Sequence, residues 1–441
     1  MPTPTQGTLW TTLAVAIVVL PFAGRARADL AETMAPQAQH PAIAYDSTPS
    51  HDPVAELTRK LQNGSAHLTF ENGSGYLRSV LQALNVPIES QIAVFSKTSL
   101  QLERINPSNP RTLFFNDSVV VGWMGGGMIE LAAHDPRQGV KFYTLRQQSE
   151  YRPGFAPDTT CLRCHISDAS LGVPGMMVRS MYTAPDGSTR LVYGGSFTDH
   201  RSPFPERYGG WYVTGDTGAA HHLGNVTITP QDTPEALAAA PAIHLDALPV
   251  AAGLYLSRYS DIAALLTFDH QMHMINLITR IGWEARVASN QTRPPTLLSL
   301  DPAASKRSAA AMLEDAAAEF VDYLLFIDEA PLPSRIRSTS GFPEAFAARG
   351  PFDQRGRSLR QIDLNKRLLK YPCSYMIYSD AFEALPVETK AAIYKRIWQV
   401  LSGSAAEKKY ARLTSADRRA VAEILRDTKK DLPDYFKVVA H

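Results

Sequence analysis

The sequence predicts an α+β fold, a β-rich N-terminal part followed by an all-α C-terminal part. Three observations carry this. Between Ile92 and Leu145, short β-branched and aromatic runs are separated by Asn-Pro, Asn-Asp, Gly-Gly-Gly and Asp-Pro, the punctuation of short strands and turns. Near Pro230 the composition shifts and Ala becomes frequent. Beyond that point apolar residues recur at helical spacing. At 441 residues the chain has room for two domains.

Taken in order, residues 1–28 read as a secretory signal. An apolar run from Leu9 to Phe22 precedes Ala26-Arg27-Ala28, a small-x-small cleavage pattern. No Lys or Arg precedes that run, and the competing reading is an uncleaved anchor. The run is short of the ~20 residues a spanning helix needs, which favours cleavage. Residues 29–64 form a flexible lead rich in Ala, Pro, His and Ser that passes into a short helix over 54–62. A second short helix fits Tyr76–Leu84, ended by Asn85-Val86-Pro87.

Residues 65–230 form the β-rich unit. Strands are expected over 92–95, 112–115, 118–121, 128–131 and 140–145, with two more over 190–196 and 211–214. The Gly125-Gly126-Gly127 run lacks the Gly-Lys-Ser/Thr ending of a phosphate loop, so a turn between strands is expected. Residues 231–441 form the helical part. Helices are expected over 261–289, with Ser260 as N-cap, and over 309–326, 359–370, 386–401 and 415–428.

The charge balance, 44 basic against 43 acidic residues, gives no reason to expect nucleic acid as a partner. No later segment is apolar enough to span a bilayer, so no stable span is expected once the signal is removed. Three cysteines are too few for a disulfide scaffold.

Two of those cysteines stand in Cys161-Leu162-Arg163-Cys164-His165. Cys-x-x-Cys-His is the attachment signature of c-type haem. Two thiols at this spacing can add to the two vinyl groups of one porphyrin, and the adjacent imidazole is then held beneath the iron. A Cys-x-x-Cys pair can also be half a zinc site, a thioredoxin-like redox pair or a disulfide. No second pair completes a zinc site, the preceding residues 153–160 read as loop, and a disulfide leaves His165 without a role. Cys373 is expected to be a buried apolar residue.

Over these five residues the chain resembles the c-type cytochromes. The resemblance implies one covalent haem c per chain, with Cys161 and Cys164 as attachment points and His165 as proximal axial ligand. It implies a periplasmic or secreted location, and a redox partner protein. The layout departs from a small cytochrome c, in which the motif opens a helical domain near the mature N-terminus. Here more than a hundred residues of β character come first.

The second axial position has several candidates. Met176 and Met177 lie 11 and 12 residues after His165, and can either return to the iron or pack against the haem face. His270 shares a helical stripe with Leu266, His273, Leu277 and Ile281. It can serve as distal ligand or as a hydrogen-bonded core residue, served by neighbours such as Asp269 or Asn276. His200 ranks next, then His221 and His222. His270-x-x-His273 is a poor match to a di-iron bundle, which needs Glu-x-x-His motifs. Arg179, Arg201 and Arg207 are candidates to pair with haem propionates.

The leading function is electron transfer by a monohaem c-type cytochrome. The alternatives are a peroxidase- or oxygenase-like haem enzyme with an open distal site, and a haem-based sensor or interaction protein.

Overall fold

A computed structural model describes residues 37–149, 152–290 and 302–437. The signal segment, residues 1–28, lies outside the described residues. The β-rich and helical parts are both present, as expected.

Helices α1 (Pro53–Gln62) and α2 (Leu77–Ala83) come first. Asp52 caps α1, its side chain accepting from the backbone N–H of Val54 and Ala55. A seven-stranded antiparallel sheet follows. It consists of β1 (Ile92–Val94), β2 (Arg111–Phe115), β3 (Val119–Trp123), β4 (Ile129–Asp135), β5 (Gly139–Leu145), β6 (Ala156–Pro157) and, from further along, β9 (Trp211–Tyr212). The order is β6-β5-β4-β3-β2-β1-β9. A separate hairpin pairs β7 (Val178–Met181) with β8 (Gly195–Thr198).

The sequence reading anticipates six of these strands, β1 to β5 and β9, to within a few residues. It places one strand over 190–196, but residues 191–193 form a 3-10 turn and β8 begins at Gly195. β6 lies inside the stretch read as loop, and its pairing with β5 sets Tyr143 opposite Pro157. A proline is tolerated there because β6 is an edge strand.

Alternation along the strands separates the two sheet faces. Phe114, Val121, Trp123, Leu131 and Tyr143 pack against α1 and α2. Leu113, Phe115, Val120, Val140 and Phe142 belong to one continuous core with the C-terminal helices. The short helices α3 (Leu162–His165) and α4 (Pro234–Ala239) precede α5 (Ile262–Asn290). Helices α6 (Pro302–Leu324), α7 (Phe342–Ala348), α8 (Asp380–Glu383), α9 (Val387–Leu401) and α10 (Ser415–Thr428) complete the chain.

α5 is the central element, packed between the sheet and the remaining helices. Its residues from Ile262 to Met272 are all buried, so it is enclosed on every side there rather than along one stripe. Its N-terminus is capped by Asp261, not Ser260. Asp261 accepts from the Ala263 N–H at 2.8 Å, and its other oxygen takes Ser338 Oγ and the N–H groups of Thr339 and Ser340. Ser260 instead joins the sheet, donating to Tyr212 O at 2.6 Å and accepting from Ala93 N.

Two further expectations fail for physical reasons. The segment 359–370 is not helical. Asp363 accepts from Lys366 N, Leu364 takes a left-handed φ of 57°, and Ile362 bridges back to Leu369. This side-chain competition for backbone N–H groups makes a turn. The described part of the lead is not a free tail. Ile43 and Tyr45 are buried, the Tyr45 ring meets Trp283 of α5 edge-on at 6.4 Å, and its hydroxyl donates to Val140 O at 2.6 Å.

Candidate functional site

Strand β6 delivers the chain from the sheet edge directly to the Cys-x-x-Cys-His motif. Asp158 N donates to Phe142 O at 2.9 Å, and the Asp158 carboxylate takes the Thr160 N–H at 3.0 Å. The turn so begun runs into α3 and brings Cys161, Cys164 and His165 onto one short helical segment. Neither Cys161 nor Cys164 is in a disulfide. Cys161 is half-buried and Cys164 is exposed. Burial pushes the Cys161 thiol up to about 11.

His165 is held from behind. Its Nδ1 lies 2.8 Å from the carbonyl oxygen of Gly175, and its own carbonyl accepts from Gly175 N at 3.0 Å. A carbonyl oxygen can only accept, so Nδ1 carries the proton and Nε2 presents a lone pair. Burial holds the ring's pKa below the usual imidazole value, which keeps that lone pair unprotonated. The Phe142 ring lies 4.7 Å from the imidazole centroid, tilted by 49°. A backbone carbonyl fixing the tautomer and rotation of a ligating imidazole is the usual outer support of a metal-bound histidine.

The loop from His165 to Gly175 is in turn fixed on two sides. Pro174 O accepts from Val140 N of β5 at 2.9 Å. On the other side, Asn276 of α5 grips the Met176 backbone twice: Oδ1 accepts from Met176 N at 3.0 Å, and Nδ2 donates to Met176 O at 2.7 Å. Gly175 is required by this approach. A Cβ there would stand 2.1 Å from Asn276 Oδ1. Support thus passes from α5, through Asn276 and the Met176 backbone, to the carbonyl that orients His165.

Met176 and Met177 directly follow the Gly175 carbonyl that binds Nδ1. Met176 is buried in the main core. Both methionines line a small pocket with Phe197, Met272, His273 and Asn276. Both thus pack against protein side chains, Met176 in the core and the pair around this pocket.

His270 stands apart. It lies six residues before Asn276, about 9 Å along the helix and turned by about 120°. Its Nδ1 meets His200 Nδ1 at 2.7 Å and its Nε2 meets Ser374 Oγ at 2.7 Å, with Phe326 stacked at 4.3 Å. Both ring nitrogens are engaged, and burial pushes its pKa down to about 3. That arrangement leaves no nitrogen of His270 for an iron. Its neighbour His273, not His270, faces the methionine pocket, paired with Asp199 and Arg201. His221 is bonded to Leu237 O, and His222 accepts from Gly224 N.

The three arginines considered for propionates have partners. Arg201 is forked on Asp199, and Arg207 donates to the carbonyls of His200 and Ser202 beside the buried Asp269. Arg179 lies over the Phe197 ring. Asp269 and Asn276 do not serve the helix histidines: Asp269 takes Thr198 and Arg207, and Asn276 takes Met176. Cys373 is fully buried, and burial pushes its thiol up.

Comparisons of the chain with protein-family models, curated proteins and solved structures find no match. The site must be judged by its own chemistry. Among the described residues, no group of three or more His, Cys, Asp or Glu side chains is placed to hold a metal ion. A haem iron asks less of the protein, because the porphyrin supplies four ligands and the chain one or two. The residues present fit that group: two free thiols on one turn, and a neutral imidazole with its outer nitrogen spoken for.

Proposed function

We propose that this chain is an exported, periplasmic monohaem c-type cytochrome that passes single electrons to and from a partner protein. The observation that carries the reading is the bond from His165 Nδ1–H to Gly175 O. It prepares Nε2 as a metal ligand at the position where the Cys-x-x-Cys-His spacing requires one. When bound, haem supplies a ferrous/ferric couple. The protein's part is to attach the porphyrin through Cys161 and Cys164, to orient His165 rigidly, and to leave the attachment point near the surface. The exposure of Cys164 supports that last role, since a short path to the surface suits electron exchange with a docked partner. No described helix is long and apolar enough to cross a membrane.

The deciding experiment is a pyridine haemochrome spectrum of protein exported from a host competent in c-type maturation. Colour that survives acid-acetone extraction is expected, together with its loss when Cys161 and Cys164 are both replaced by Ala. Exported protein that is colourless, or whose colour is fully extracted, would defeat the reading.

A further inference from the structure

We propose that Arg111 and Glu130 form the charge pair that sets the reduction potential of iron held by His165. The proposal rests on the covalent-haem reading above and assigns a positioning role to two residues that the motif does not contain.

Arg111 opens β2 and Glu130 lies in β4, with Gly122 of β3 between them. The register pairs Gly122 with Glu130 and Ala132 with Phe142, so Glu130 projects on the sheet face that carries Phe142 and, through it, His165. Gly122 makes the crossing possible. A Cβ at Gly122 would stand 2.7 Å from Arg111 Nη2 and 2.9 Å from Nε. The guanidinium therefore lies across the glycine and meets Glu130 Oε2 at 2.6 Å.

The two partners are not equally satisfied. Glu130 Oε1 also accepts from Gln101 Nε2 at 2.9 Å, and Gln101 is itself fixed by the Met128 N–H. Arg111 Nε is buried and has no partner. The side chains are only 21% and 13% exposed, so solvent screens them poorly. On that face Glu130, opposite Thr144, is the diagonal neighbour of Phe142, whose ring lies against the His165 imidazole, so the fields of the pair reach the motif.

The same fields act on the charge that iron gains on oxidation. One electron passes to a one-electron acceptor protein, no bond is made or broken, and the centre becomes one unit more positive. Arg111 resists that change and Glu130 assists it. Each change of a single charge should move the ferric-to-ferrous ratio at fixed potential by roughly tenfold, which is 59 mV for a one-electron couple.

The test is spectroelectrochemical titration of the haem-loaded wild type, Arg111→Met, Glu130→Gln and the double variant. Arg111→Met should shift the ratio roughly tenfold toward ferric and Glu130→Gln roughly tenfold toward ferrous, with the double variant between them. Arg111→Lys, which keeps the charge if Arg111→Met fails to fold, should stay within about twofold of the wild type. Single variants that shift in the same direction, or not at all, overturn the proposal, because a merely structural pair has no reason to act with opposite signs. A haemochrome spectrum of each protein separates the two levels: a wild type without covalent haem defeats the cytochrome reading itself, whereas haem-loaded variants with unmoved potentials defeat only this one.

Discussion

Replacing Asn276 with Leu should loosen the support of His165 without touching the motif. The amide makes two bonds to the Met176 backbone, at 3.0 and 2.7 Å, in a buried setting. Leucine has similar volume and can make neither. A buried donor and a buried acceptor are then left unmatched, at about 1–3 kcal/mol each. Added apolar contact returns about 1 kcal/mol, so a net loss of about 1–5 kcal/mol is expected. The loss should be local, because the neighbouring bonds from Val140 N to Pro174 O and from Gly175 N to His165 O depend on the same loop. Native-state hydrogen exchange read by mass spectrometry on peptides covering 166–176 measures it. Opening should become roughly 5- to 5000-fold easier there, the equivalent of that free energy, while peptides from β3 and β4 change little. Exchange within threefold of the wild type across 166–176 would refute the argument that α5 holds the loop through Asn276.

Two other outcomes follow from buried charge. Burial pushes His134, His222 and His273 down to about 4 and His270 to about 3, from the ordinary value of 6.5. Below pH 6.5 the unfolded chain binds protons that the fold refuses, so stability should fall as pH drops from about 6.5 toward 4. Asp269 and Glu329, pushed up to about 6 and about 7 by burial, with Asp52 and Glu284 raised as well, act in the opposite direction, since their protonation favours the fold as pH falls; burial also holds His165 and His200 low, so six imidazoles stand against four carboxyls. Urea midpoints at pH 7.5, 6 and 5 check this, and a flat or rising midpoint toward pH 5 contradicts it. Arg207→Met should cost about 3–5 kcal/mol by stranding the carboxylate of fully buried Asp269, and adding Asp269→Asn should recover part of that loss. A single variant within 1 kcal/mol of wild type in urea unfolding would show that the pair contributes little.

Elements whose signal is local were legible in the sequence. The β-branched and aromatic runs marked six strands of the main sheet, and apolar spacing marked α5, α9 and α10. The Cys-x-x-Cys-His spacing located the candidate site without help from the fold. Elements decided by competition between side chain and backbone were not legible. Ser260 and Asp261 are adjacent capping types, and only the sheet's demand for Ser260 at Tyr212 O and Ala93 N decides between them. The segment 359–370 has helical composition, but Asp363 draws the backbone into a turn. The supports of the site were hidden for another reason. Asn276 reaches a residue 100 positions earlier, and Arg111 crosses a glycine to reach Glu130. Such roles exist only once strands and helices have met. Arg179, Arg201 and Arg207 stand near the motif in the chain, yet the Arg111–Glu130 pair on the sheet face that carries Phe142 comes from β2 and β4.

The dependence of Gly175 and Met176 on α5 also orders events in time. The thiols and the imidazole leave the ribosome, and cross any membrane N-terminus first, about a hundred residues ahead of the side chain that steadies them. A chain stopped short of Asn276 would hold both thiols and the imidazole of the motif and lack the brace behind the His165 ring. On the covalent-haem proposal, capture and aiming would be separable steps, and a truncation series across α5 would pull them apart.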